Sequence, residues 1–262
     1  MELTNYIKDK LSVSINENEI FVDFTNNWGI GDKYKIQNII DQYKSQPYCN
    51  LKAVYIFLVT DSCDSFIIPS NVKLYRTSLL KSQKNENEYI LPYIWEGFDK
   101  FDPLEVTTKP IVGFCGFPGH YRKKLIDVIK RNNRITSKFI LRNQFWGGKP
   151  HDSQIIKDFL DNIKSSHFNI CNRGVGNFSM RFYQTLSCGR IPILLNTDIL
   201  LPFEDKINWN DIIIFASTEK ELVDKILTCN DIVNRQIKCR EIYDTYFVGT
   251  KFLDGIFTSY LN

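Results

Sequence analysis

Between Asn172 and Arg181 the chain reads NRGVGNFSMR. Two arginines flank two glycines, an asparagine and a serine, the residue types that grip an anion. Backbone N–H groups of a glycine-rich turn, and the positive end of a helix that follows it, attract phosphate. Guanidinium forks match phosphate oxygens in pairs. Arg173 and Arg181 are therefore candidate phosphate ligands, with Gly174 and Asn177 inside the turn. Ser179 is placed to cap a helix running from Met180 to Cys188. The chemistry this stretch suits is the binding of a nucleotide diphosphate. Arg122, at the start of a helix expected at 121–131, and Arg142, in the loop after a strand, extend the set. Trp146, just beyond Arg142, is of a type that stacks on a base or sugar, or anchors its loop.

The elements around the turn predict how it is held. His167–Cys171 is an apolar run of strand length that feeds it. Gly189 stops the helix, and Ile191–Leu195 reads as a buried strand. The same alternation runs through the whole chain. Ile20–Phe24, Ala53–Thr60 and Val72–Tyr75 read as strands. Asp32–Tyr43 reads as a helix with Tyr34, Ile36, Ile39, Ile40 and Tyr43 as its apolar stripe. A second series begins at Ile111, with strands at 111–115, 138–141 and 212–215. Its helices are expected at 121–131, 152–163, 219–227 and 232–246. Strand and helix alternating twice over predicts an α/β fold of two doubly wound lobes, 1–106 and 107–262, facing each other across a cleft. Ligands of such sheets sit beyond the carboxyl ends of the strands.

Composition excludes some classes. A net charge of +3 on 262 residues, without a basic block interleaved with aromatics, argues against a nucleic-acid partner. Seven cysteines, with no C-x-x-C pair, read as free thiols in a reducing compartment. The three histidines are too scattered for a metal site, and His167 reads as a packed side chain. No run is apolar enough to cross a bilayer. The expectation is a cytoplasmic protein with peripheral contact as its one route to a membrane, of bacterial or viral rather than Golgi type.

Arg173-Gly174, Ser179, Arg181-Phe182, Gly189, Ile191-Pro192, Leu201-Pro202-Phe203 and Ile207-Asn208-Trp209, in that order, resemble the signature of the exostosin family, glycosyltransferase family 47. Gly113-Phe114-Cys115-Gly116 with Tyr121-Arg122-Lys123-Lys124, and the closing Glu241–Phe247, are similar to further parts of the same family. The resemblance spans about half of the chain. It implies a GT-B type transferase whose second lobe binds a nucleotide sugar, first of all a UDP-sugar, and whose first lobe binds a glycan acceptor. It further implies inversion at the anomeric centre without a bound metal or other cofactor. The absence of any Asp-x-Asp agrees with the last point, and leaving-group charge then falls to arginines and backbone amides.

The family usually has a glutamate, resembling a ribose-binding one, where this chain has Gln184; an amide oxygen still accepts a ribose hydroxyl. Asp205, inside the family's L-P-F-x-D segment, is a candidate contact for the donor sugar. An inverting displacement needs a general base from the first lobe. Asp61 and Asp64 follow its best strand, and Asp32 lies after the strand before; each is equally suited to a turn or a helix cap. Two other readings stay open: a fucosyltransferase-like enzyme using a GDP-sugar, and a nucleotide- or glycan-binding protein without catalysis.

Overall fold

A computed structural model describes residues 20–26, 33–93, 97–98, 100–249 and 251–253. The chain forms two parallel sheets. The first holds β1 (Ile20–Asn26), β2 (Ala53–Val59), β3 (Val72–Arg76) and β4 (Glu88–Ile90) in sequence order. Its one α-helix among the described residues, α1 (Lys33–Asp41), joins β1 to β2. β2 is AVYIFLV, apolar throughout and rich in β-branched and aromatic residues, and is buried on both faces as a central parallel strand should be. Val54, Ile56 and Leu58 meet Ile36, Ile40 and Tyr43 from the helical segment in one core. Tyr34, expected in that apolar stripe, is 81% exposed instead, because the stripe turns inward only from Ile36. Ala53, Tyr55, Phe57 and Val59 face the other way, into a core that runs on through Leu91 and Tyr93 to the second sheet.

The second sheet comprises β5 (Ile111–Gly116), β6 (Thr136–Leu141), β7 (Phe168–Ile170), β8 (Ile191–Leu195) and β9 (Ile214–Ala216). Its helices are α2 (Gly119–Arg131), α3 (Ser153–Lys164), α4 (Arg181–Ser187), α5 (Glu219–Thr228) and α6 (Ile232–Ile242). The strand order is β6-β5-β7-β8-β9. The chain therefore winds outward from β5 to β6, then crosses back to β7, and the crevice of a doubly wound sheet falls between β5 and β7. That pair is hydrogen-bonded only at Val112↔Phe168 and Gly113↔Asn169. Beyond Gly113 the two strands part.

Helix α4 is short. Gly189, at φ +60°, ends the turn that follows it, where a Cβ would strike the Phe101 ring. Its expected cap is absent: Met180 occupies the cap position in helical conformation with no side-chain bond. Ser179 contributes its carbonyl, which accepts from the Phe182 amide at 3.0 Å. Strand β9 begins two residues later than the apolar pattern suggests, because Trp209–Asp211 forms a turn before it. His167 is fully buried: its Nδ1 accepts from the Ile111 amide at 2.9 Å and its Nε2 meets the Glu105 carbonyl at 2.8 Å. It is the packed histidine its strand position predicts. All seven cysteines are free thiols. No helix among the described residues is long and apolar enough to cross a membrane.

Candidate active site

Where β5 and β7 separate, a guanidinium fills the gap. Arg181 enters from the first turn of α4, and its Nη2 donates to the Cys115 carbonyl at 2.7 Å and its Nη1 to the Ile170 carbonyl at 3.4 Å. These are the carbonyls at the ends of the two strands, left without sheet partners by the splay. The guanidinium lies 4.4 Å from the Phe114 ring centroid. Arg122, from α2, lies over the same ring at 5.7 Å. Its Nε donates to the Asn172 carbonyl at 3.1 Å and its Nη1 to the Phe117 carbonyl at 3.3 Å.

Both arginines are buried, each 8% exposed. Neither has a carboxylate partner among the described residues. Burial and the Arg181 charge hold Arg122 down at about 9, and burial likewise lowers Arg181. Taking a cation out of water without an anion is costly, and here two such cations are adjacent. The Arg181 Nε is buried without any acceptor, and no described residue accepts from the Arg122 Nη2. Two backbone turns run close over these groups. A Cβ on Gly116, at φ +143°, would approach the Arg181 Nη2 to 3.0 Å, and one on Gly174 would approach the Arg122 Nη2 to 3.3 Å. The α2 N-terminus, with amides that have no intrahelical acceptor, opens just after β5.

Arg173 occupies the next position outward. Its guanidinium stacks on Tyr121 at 4.4 Å, its Nη2 donates to the Val175 carbonyl at 2.7 Å, and the same nitrogen lies 3.9 Å from the Cys63 sulfur. It thus reaches the loop that follows β2 of the first sheet. From that loop Asp61 approaches the turn: a Cβ on Gly176 would lie 2.6 Å from its Oδ1. Burial raises the Asp61 pKa above the usual aspartate range, opposed by the Gly176 amide and the Arg173 charge. Asp64 faces its own loop, where its Oδ2 accepts from Ser62 Oγ at 2.7 Å. Asp32 lies outside the described residues.

Other candidates are employed differently. Asn177 is a clasp between the two units: its amide donates to Ser78 Oγ at 2.7 Å, and its Nδ2 donates to the Leu79 and Asp198 carbonyls at 3.1 Å each. Its Oδ1 accepts from Thr197 Oγ1 at 2.7 Å, so each of its polar side-chain atoms is engaged within the fold. A bridge between Leu80 and Ile199 and an ion pair between Lys81 and Glu204 at 2.6 Å continue this seam. Arg142 is paired with Asp158, which raises its pKa, and it stands at the outer strand β6. Gln184 is buried along α4, 4% exposed. Ser179 is half-buried and caps nothing. Asp205 is exposed, on the wall of a cavity of about 430 Å³ that none of the arginines lines. No group of three or more His, Cys, Asp or Glu side chains able to hold a metal occurs among the described residues.

Two contributors escaped the sequence reading. Asn172 is buried, receives the Arg122 Nε on its carbonyl, and accepts from the Leu195 amide on its Oδ1 at 2.9 Å; its place directly after a strand was the available signal. Tyr121 supplies the platform under Arg173, which no spacing rule links to it.

Residues 115–228, within the second unit, match the model of the Exostosin GT47 domain, the family that the motifs resemble. A protein of Arabidopsis thaliana named as a probable glycosyltransferase is 30% identical over 122 residues, which cover 44% of this chain and 23% of that protein. One of Oryza sativa subsp. japonica named as a probable glucuronosyltransferase is 33% identical over 82 residues, 30% of this chain and 19% of that one. The matched segments thus span about a fifth of the length of these relatives. Among solved structures, the crystal structure of TarM aligns with a TM-score of 0.49 and 13% identity over 96% of this chain and 56% of that chain.

Proposed function

We propose that this chain, carrying an exostosin GT47 domain over residues 115–228, transfers a sugar from a nucleotide diphosphate donor, a UDP-sugar, to a glycan acceptor. The observation that carries the reading is the pair of buried, carboxylate-free guanidiniums where β5 and β7 part. A diphosphate is the anion that such a crevice suits. It brings the charge the pair lacks, and it lies where doubly wound sheets take ligands. Residues 107–262 would form the donor unit and 1–106 the acceptor unit.

The reaction is then a single displacement with inversion. The acceptor hydroxyl oxygen bonds to the anomeric carbon as the bond from that carbon to the diphosphate oxygen breaks, and the electron pair leaves with the diphosphate. Asp61 takes the hydroxyl proton. Of the two carboxylate candidates among the described residues it is the one that meets the glycine turn, and its pKa is raised by burial. Arg122 and Arg173 meet the charge developing on the departing diphosphate, with Arg181 fixing the strand ends beneath them. Fixed cations would serve the leaving group without a bound metal. Gln184 would accept from a ribose hydroxyl.

The test is twofold. UDP is expected to raise the melting temperature more than GDP at equal concentration, and labelled UDP-sugars are expected to transfer label to a panel of glycans with inverted anomeric configuration by NMR. Stabilisation by GDP alone would redirect the donor assignment. Binding of UDP with neither transfer nor donor hydrolysis would leave a binding protein.

A further inference from the structure

The cavity that holds Asp205 lies between the β3–β4 edge of the first sheet and the 200–206 loop of the second unit. Its walls are aromatic and its rim is charged. Tyr89, Phe203 and Phe252 contribute rings, and Tyr89 is stacked on Tyr75 at 4.8 Å. Phe203 is held in the left-handed region at φ +52°, a costly conformation for a bulky residue. Its carbonyl accepts from the Lys206 and Ile207 amides at 2.9 and 2.8 Å, which locks the turn and fixes the ring at the wall. Lys84 lies 5.3 Å above the Tyr89 ring and Lys206 5.8 Å from the Phe203 ring. Lys73 completes the basic side. Two carboxylates also line the cavity, and Glu204 is already paired with Lys81 at 2.6 Å, which leaves Asp205 against Lys84 and Lys206. The balance at the cavity is positive.

We propose that this cavity is a saccharide subsite, separate from the diphosphate crevice, which takes a pyranose bearing an anionic group. The volume, about 430 Å³, lies in the range of small-ligand sites and admits one or two sugar rings. The C–H face of a pyranose packs on an aromatic ring, as apolar surface does. Asp205 accepts from ring hydroxyls, and Lys84 and Lys206 receive the anion. Ring faces alone would take any sugar; the two ammonium groups above them select the charged one. Both units contribute walls, so a glycan occupying the site would also bridge them.

Saturation-transfer NMR on the full chain tests this with three probes: methyl β-glucuronide, glucose 6-sulfate and methyl β-glucoside. The expected result is transfer to one or both anionic probes at least about tenfold more tightly bound than the neutral one. Saturating UDP should leave the signals in place. The exposed double variant Lys84→Ala/Lys206→Ala should lose the preference, and Tyr89→Ala should weaken all three. Which anionic probe binds better separates carboxylate from sulfate. No transfer to either anionic probe, equal transfer to the neutral glucoside, or displacement by UDP would overturn the proposal. UDP binding recorded on the same samples keeps this result independent of the donor assignment, since either site can fail while the other holds.

Discussion

Each sheet buries arginine near its strand ends, and the two treat it in opposite ways. In the first sheet Arg76 ends β3, fully buried, 3.0 Å from Glu88 on the neighbouring strand and donating to the Ser62 carbonyl at 3.2 Å. Its charge is answered from within the fold. In the second sheet Arg122 and Arg181 are buried side by side and only carbonyl oxygens receive them. A buried cation that carries its own counter-charge is a strut. Two that share none carry a charge that the proposed diphosphate would answer. Topology separates the cases: the first sheet runs β1 to β4 in order, so adjacent strands remain paired at Arg76↔Ile90. The second reverses between β5 and β7, and its strands open into a crevice.

The largest expected effect breaks the strut. Arg76→Met leaves Glu88 buried and unpaired and should cost about 3–5 kcal/mol in urea unfolding. Arg76→Met/Glu88→Leu should recover most of that, since the charge leaves with its partner. Next comes the reacting end of the cleft. Asp61→Asn should lower the transfer rate by about 10²–10⁴-fold with little change in UDP affinity. In the proposed reaction Asp61 acts as a base only when ionised, and burial raises its pKa. The wild-type rate should therefore fall on acidification from a higher pH than an exposed aspartate would give, and the variant should lack that limb. The smallest effect sharpens the contrast within one loop. Asp64→Asn keeps an acceptor for the Ser62 hydroxyl, and its rate should stay within about twofold of wild type, the scale of a surface polar change.

Much of the fold was legible because its strands announce themselves. Ala53–Val59 is a continuous apolar run that only a strand buried on both faces explains. Asp152, read at the start of its helix, does cap it, accepting from the Gln154 and Ile155 amides. The chemistry-bearing turn was legible as a turn. What each of its residues does was not, because tertiary partners decide it. Asn177 looks like a ligand residue in sequence, yet Ser78, Leu79 and Asp198 claim it from regions remote in the chain. Ser179 has the right type for a cap, but the chain turns helical one residue beyond it. The sequence shows Arg181 as one of two arginines flanking the turn, but not that its guanidinium also ties Cys115 to Ile170 at the base of the crevice. Loss of its side chain would strand two carbonyls, so Arg181→Ala is expected to destabilise the sheet as well as the site. Asp205 follows the family segment into a different cavity, because the 200–206 loop turns toward the edge of the first sheet.

Arg122 is the cleaner probe of the crevice, since methionine can fill its volume over Phe114 without burying a charge. Arg122→Met also frees the Asn172 and Phe117 carbonyls, so without ligand its melting temperature should lie near or below that of the wild type, and UDP, which stabilises the wild type, should raise it by far less. A variant that UDP stabilises as strongly as the wild type would contradict the placement of the diphosphate between β5 and β7.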